Sequence, residues 1–151
     1  MDMFRLEPEV AGEIGENSRI RYERGMIKEV EFLHYEFTGW LGDEILTSHP
    51  CFIVSENIVE DILRSKLRGY RFEDIEISTS DEFKEMFPNR YIPNFKRLIP
   101  LGKVVVRDEK IFQSSEDDFC LEDDVELVVS YNALEILKKS NIDNCEICDL
   151  N

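Results

Sequence analysis

The sequence predicts an α+β fold: one domain, residues 1–151, with a mostly antiparallel sheet and a strand–Ser-capped helix–strand unit that occurs twice, at about 52–77 and 127–150. Three observations carry this. First, Phe52-Ile53-Val54-Ser55-Glu56-Asn57 is echoed 75 positions later by Leu127-Val128-Val129-Ser130-Tyr131-Asn132. Over 52–74 and 127–149 the copies share Val54/Val129, Ser55/Ser130, Asn57/Asn132, Glu60/Glu135, Ser65/Ser140 and Asp74/Asp149, where chance gives about one or two identities at a background near ~5% per residue type. Second, the apolar period changes from strand-like to helical at each serine. Ile58, Val59, Ile62 and Leu63, and then Ala133, Leu134, Ile136 and Leu137, fall on one helical face. Third, 151 residues with 42% hydrophobic content and no Pro/Gly/Ser-rich linker suffice for one core and are short for two.

Taken in order, Phe4 to Arg24 is a strand-and-turn region, with Gly12 and Gly15 breaking any helix. From Ile27 to Phe37 alternation predicts a strand whose phase slips, so that Leu33, Tyr35 and Phe37 share a face, as at a bulge. Thr38-Gly39-Trp40-Leu41-Gly42-Asp43 is a turn, and Asp43 to Ser48 a short strand. Ser55 and Ser130 stand where a hydroxyl accepts from the orphan N–H groups of a first helical turn. Gly69 and Asn144, types that tolerate a left-handed stop, then turn the chain into another strand. Between the copies, Thr79-Ser80-Asp81-Glu82 offers a capping box for a short helix with Phe83, Met86 and Phe87 inward. Asn89 to Pro100 is an irregular connector. Val104–Val106 pairs with Ile111-Phe112 across Asp108-Glu109, and Ser114 to Asp118 makes an acidic turn before the strand Phe119-Cys120-Leu121.

Charge and motifs bound the function. Lys plus Arg number 18 against 33 Asp plus Glu, and a net charge of −15 repels phosphate backbones, which argues against direct nucleic-acid binding and favours basic partners. No run of about 18 apolar residues and no leader pattern at the N-terminus appear, so the expectation is a cytoplasmic protein without a membrane partner. No nucleophile elbow, phosphate-binding loop, zinc-binding His pair or dinucleotide fingerprint is present. His34 and His49 are isolated, and Cys145-x-x-Cys148 has no second ligand pair and lies on an expected strand, where thiols three apart diverge. The expectation is therefore no metal, no cofactor and no catalytic residue. What stands out is acid density. Glu116, Asp117 and Asp118, then Glu122, Asp123 and Asp124, bracket a short apolar strand, and Asp43-Glu44 follows the Trp40 turn. Either these acids are a solvated face, or they form a docking surface that steers a basic partner, with Trp40 as its anchor. Trp40 has the same two readings, core side chain or hot spot.

Glu9-Val10-Ala11-Gly12-Glu13-Ile14-Gly15, Tyr35-Glu36-Phe37-Thr38-Gly39-Trp40-Leu41-Gly42-Asp43 and Pro50-Cys51-Phe52-Ile53-Val54-Ser55 resemble blocks in a family of small immunity proteins of bacterial polymorphic-toxin systems. The resemblance continues at the ends of both repeats. It implies a non-enzymatic antitoxin that binds a cognate toxin protein, and it brings no motif-borne contact residues. Two other classes stand beside it: a regulatory or scaffold module for another basic protein, and an enzyme with two convergent carboxylates in a pocket.

Overall fold

The structure, a computed structural model, describes residues 1–108, 110–113 and 115–151. Glu109 and Ser114, expected in the turns above, lie outside the described residues.

The α+β domain is two tandem copies of one unit. The first runs β1 (Met3–Glu7), β2 (Gly12–Ile14), β3 (Arg19–Glu23), β4 (Met26–Phe32), β5 (His34–Phe37), β6 (Ile45–Ser48), β7 (Cys51–Ser55), α1 (Glu56–Leu63) and β8 (Tyr70–Glu73). An insertion of β9 (Glu76–Thr79) and α2 (Asp81–Met86) follows. The second copy is β10 (Phe95–Pro100), β11 (Gly102–Arg107), β12 (Lys110–Gln113), β13 (Phe119–Glu122), β14 (Glu126–Ser130), α3 (Tyr131–Leu137) and β15 (Glu146–Asp149). Both serines cap as expected: Ser55 Oγ accepts from Ile58 N–H at 3.4 Å and Ser130 Oγ from Ala133 N–H at 3.2 Å.

The two copies exchange their first strands. One sheet is ordered β6-β7-β10-β8 and the other β12-β11-β13-β14-β1-β15, so β10 fills the gap between β7 and β8 while β1 fills the gap between β14 and β15. The registers match residue for residue. Leu98 lies between Phe52 and Phe72, and Leu6 between Leu127 and Ile147. The exchanged strands carry their own echo, Arg5-Leu6-Glu7-Pro8 against Arg97-Leu98-Ile99-Pro100. After each proline the chain returns to its own copy, where Glu9 bridges Leu46 and Gly102 pairs with Cys120, both in parallel.

One core joins the copies. Leu6 and Leu98, Ile45 and Phe119, Phe52 and Leu127, Val54 and Val129, Ile58 and Ala133, Val59 and Leu134, and Ile62 and Leu137 are buried together between the two sheets and α1 and α3. Fully burying each large aliphatic side chain here is worth about 1.5–3 kcal/mol. The first copy then adds a second layer. The three-stranded sheet β2-β5-β9, with α2 and the β3–β4 hairpin, closes a second core around Tyr35, Phe37, Trp40, Ile53, Phe83 and Phe95. Gly12 permits this layer, because a Cβ there would stand 2.1 Å from the Glu36 carbonyl oxygen on β5.

Several expectations are corrected. Phe95–Pro100 is a central strand, not connector: Pro100 is its last residue, so the ladder loses little from the missing N–H. The phase slip at Leu33 is a change of sheet, with β4 pairing β3 and β5 pairing β2 and β9. Ser80, not Thr79, caps α2, because Thr79 is still in the β9 ladder opposite Phe37. Leu63 and Met86 are exposed. The helices end at Arg64 and Lys138 in ordinary αR geometry, and Gly69 bends the later link instead, at φ +87°. Asn144 has no positive φ.

Candidate partner-binding surface

Half of the acids expected on a docking surface are internal struts. Asp43-Glu44 and Asp117-Asp118 occupy equivalent places, just before β6 and β13. Glu44 Oε1 accepts from the Ser55 hydroxyl at 2.9 Å and Asp118 Oδ1 from the Ser130 hydroxyl at 2.6 Å. Each serine thus accepts from its helix and donates to its own acid, which also sits favourably at a helix N-terminus. The same acids reach across to the other copy. Glu44 Oε2 accepts from Asn141 N–H at 2.8 Å, Asp43 from Asn144 N–H and Nδ2 at 2.9 Å each, and Asp118 Oδ2 from Arg68 N–H at 2.8 Å. Asp43 is 0% exposed.

Trp40 is also interior. Its indole N–H donates to the Asp43 carbonyl at 2.9 Å, and the Arg90 guanidinium lies 4.5 Å from the ring centroid. The lone tryptophan is core, and it offers no exposed ring to a partner. Glu122 is buried under a fork from Arg5, whose Nε and Nη2 donate at 2.8 and 2.7 Å to one oxygen and whose Nη2 donates at 2.9 Å to the other. That pair raises the Arg5 pKa above its ordinary value. Of the nine expected contact residues, Glu116, Asp123 and Asp124 are exposed, Glu44 and Asp117 are half-buried, and Trp40, Asp43, Asp118 and Glu122 are buried.

The surface acids that remain lie beside residues the sequence reading passed over. Glu122 is directly opposite Glu126, Glu7 is directly opposite Glu146, and the register that pairs Leu6 with Leu127 brings Glu7 beside Glu126. Four carboxylates therefore form one row across β13, β14, β1 and β15. They share the face of Arg5, away from the helices, since side chains two apart on a strand point the same way. Asp123 and Asp124, both at positive φ, form the turn at the end of this row. Like charges directly opposite one another destabilise a sheet, and only Glu122 has an ion-pair partner among the described residues of the row. The apolar cluster on this face is Met3, Val104, Cys120 and Val128 with Ile111 and Leu150, all from the sheet itself or the chain end. Among the described residues no further sheet or helix contributes to this cluster. The equivalent row in the first copy is Ser48, Cys51, Ile99 and Arg71, with Cys51 built into the second core.

Two groups invite a chemical reading. His34 Nε2 is 2.6 Å from Ser78 Oγ and 3.4 Å from Glu76 Oε2. Asn17 N–H donates to Nδ1 at 3.2 Å, so the neutral ring carries its proton on Nε2 and donates to Ser78. A base for that hydroxyl would have to accept there instead. Glu9 is buried beside Asp43, and burial raises its carboxyl pKa, but both oxygens accept backbone N–H groups, from Leu41 at 2.7 Å and Asp43 at 3.3 Å. These acids hold the Trp40 loop and face protein. Cys145 packs against the main core while Cys148 is exposed, so the two thiols diverge. Among the described residues no group of three or more His, Cys, Asp or Glu is placed to hold a metal ion.

In comparisons with known proteins, no family model, curated protein or solved structure matches this chain.

Proposed function

We propose that this protein is a non-enzymatic inhibitor, an immunity protein that captures a basic toxin domain on the acidic outer face of its second sheet. The observation that carries the reading is the cross-strand row Glu122, Glu126, Glu7 and Glu146, kept as like-charged neighbours on a face that no second sheet or helix covers among the described residues, where the first copy has Ser48, Cys51, Ile99 and Arg71. A net charge of −15 and the resemblance to immunity proteins point the same way. The His34–Ser78 polarity and the enclosed Glu9–Asp43 pair favour binding over catalysis. No helix among the described residues is long and apolar enough to cross a membrane, and the reading places the protein in the cytoplasm beside its toxin.

Complementary charge acts mainly on association, which it speeds by about tenfold or more at low salt. The test is capture of the product of the adjacent toxin gene by the parent chain and by Glu7→Lys/Glu126→Lys/Glu146→Lys, with association rates followed across salt concentrations and thermal melts to verify folding. The triple variant is expected to associate at least tenfold more slowly at low salt, with a flatter salt dependence. Equal rates for the folded variant would remove this face from the interface, and failure of the parent to bind the neighbouring product would remove the immunity reading.

A further inference from the structure

The geometry points to a second docking site of opposite sign: the open edge of the six-stranded sheet, strand β12 with the β11 face beside it, receives an extended acidic segment of a partner protein as an added strand. This inference does not rest on the immunity reading. Strand β12 ends the order β12-β11-β13-β14-β1-β15 and pairs only with β11, so its outward N–H and C=O groups find no backbone partner among the described residues. Such an edge is a template for a further strand.

The side chains specify which strand. Val105 lies directly opposite Phe112, and Arg107 directly opposite Lys110. Because residues two apart share a face, these four side chains make one patch, an apolar pair beside a cationic pair. Val105 is 39% and Phe112 58% exposed, and the four line a concavity of about 580 Å³ together with Asp108. Arg107 and Lys110 repel each other, and neither makes an ion pair with a described residue. Some exposed cations elsewhere sit beside carboxylates, as Arg21 does with Glu29 at 2.7 Å and Lys96 with Asp74, and others such as Lys66 and Lys139 stand alone among the described residues. What sets this edge apart is two cations directly opposite each other beside an exposed apolar pair. Two cations thus stand side by side on one face of this edge of a strongly acidic molecule, with Asp108 the only described acid lining the concavity. Two copies of a cationic edge repel, which disfavours a second copy of this chain. The strand that fits carries an acidic residue two positions from an apolar one, the first over Arg107 and Lys110, the second over Phe112 and Val105.

The probe is a fluorescent peptide, acetyl-Thr-Glu-Thr-Leu-Thr-Glu-Thr-amide, titrated into the full chain with anisotropy and amide hydrogen exchange as readouts. Controls are the same peptide with Lys for Glu and a single-stranded oligonucleotide. The expected result is binding that weakens with salt, slowed exchange confined to Lys110–Gln113, and at least tenfold loss in Arg107→Glu/Lys110→Glu. Phe112→Ser should weaken binding without changing its salt dependence, and it keeps the test alive if the double variant melts. No slowed exchange at millimolar peptide, equal binding of the Lys peptide, or tighter binding of the oligonucleotide would each overturn strand addition by an acidic segment.

Discussion

In the first copy the outer face of the sheet is closed by β2, β5, β9 and α2 over an aromatic core, while in the second the equivalent face carries four carboxylates and, among the described residues, no second layer. The inner faces are almost interchangeable, with seven pairs of equivalent side chains in one shared core. A duplicated unit must keep what lets its copies pack on each other, namely the exchanged first strands, the capped helices and the inward aliphatic row. Outer faces are free to diverge. Here one became a second core and the other collected charge, which is why the difference between copies, rather than their likeness, locates the candidate surface.

The likeness is broken most severely at the exchanged strands. Leu6 and Leu98 are each 1% exposed at equivalent places, so Leu6→Ala and Leu98→Ala should each cost about 2–5 kcal/mol, the range for a buried leucine cut to alanine. Because each leucine belongs to the other copy's sheet, both variants should still unfold in a single transition, measured by urea denaturation with circular dichroism and fluorescence. Two separate transitions in either variant would mean that the copies are stable apart.

The caps sharpen the comparison at smaller scale. Loss of a serine cap costs about 0.5–2 kcal/mol, and each serine also satisfies an acid. Asp118 is buried, whereas Glu44 is half-buried and can turn to water. Ser130→Ala should therefore cost more than Ser55→Ala, with up to about 3 kcal/mol where Asp118 Oδ1 loses its donor and only the Arg68 N–H on Oδ2 remains. Equal losses in chemical denaturation would show that water reaches Asp118.

How much of this was legible in the chain follows from the same comparison. The serine–helix unit was legible because Val54-Ser55 and Val129-Ser130 repeat both residue type and spacing. Strand β10 was not, although Arg97-Leu98-Ile99-Pro100 repeats Arg5-Leu6-Glu7-Pro8, because prolines 93 and 100 argue locally for a loop and the two strands lie far apart in sequence. Acid density singled out Asp43, Glu44, Asp117 and Asp118, but density says nothing about burial. The usable signal was position: each pair stands just before an equivalent strand, which marks a structural role. Glu7, Glu126 and Glu146 are dispersed in sequence, and only the sheet register brings them together.

That row makes a prediction of its own. Replacing Glu146 by Lys removes a like-charge pair with Glu7 and should raise stability by about 0.2–1 kcal/mol, read from the denaturation midpoint, while capture of a basic partner weakens. A loss of stability would mean that the row carries compensating contacts.

The smallest expected effect concerns a carboxyl that only the first copy buries. Glu9 follows Pro8 as Leu101 follows Pro100, and Leu101 is exposed. Burial raises the Glu9 pKa above 4.5, against the two backbone N–H bonds that lower it. A carboxyl whose folded pKa is raised binds its proton more tightly in the native state. Its stabilising contribution is therefore greatest below its unfolded pKa and falls as pH rises through the window up to the folded value. Glu9→Gln lacks this titration. The stability of the variant minus that of the parent should rise with pH through that window, starting near 4.5, and stay level on either side, whatever constant offset the amide brings. The measurement is a series of urea denaturations of both proteins between pH 4 and 8. A difference that falls with pH would mean that the N–H groups of Leu41 and Asp43 outweigh burial, and that the Trp40 loop is held by an ionised Glu9.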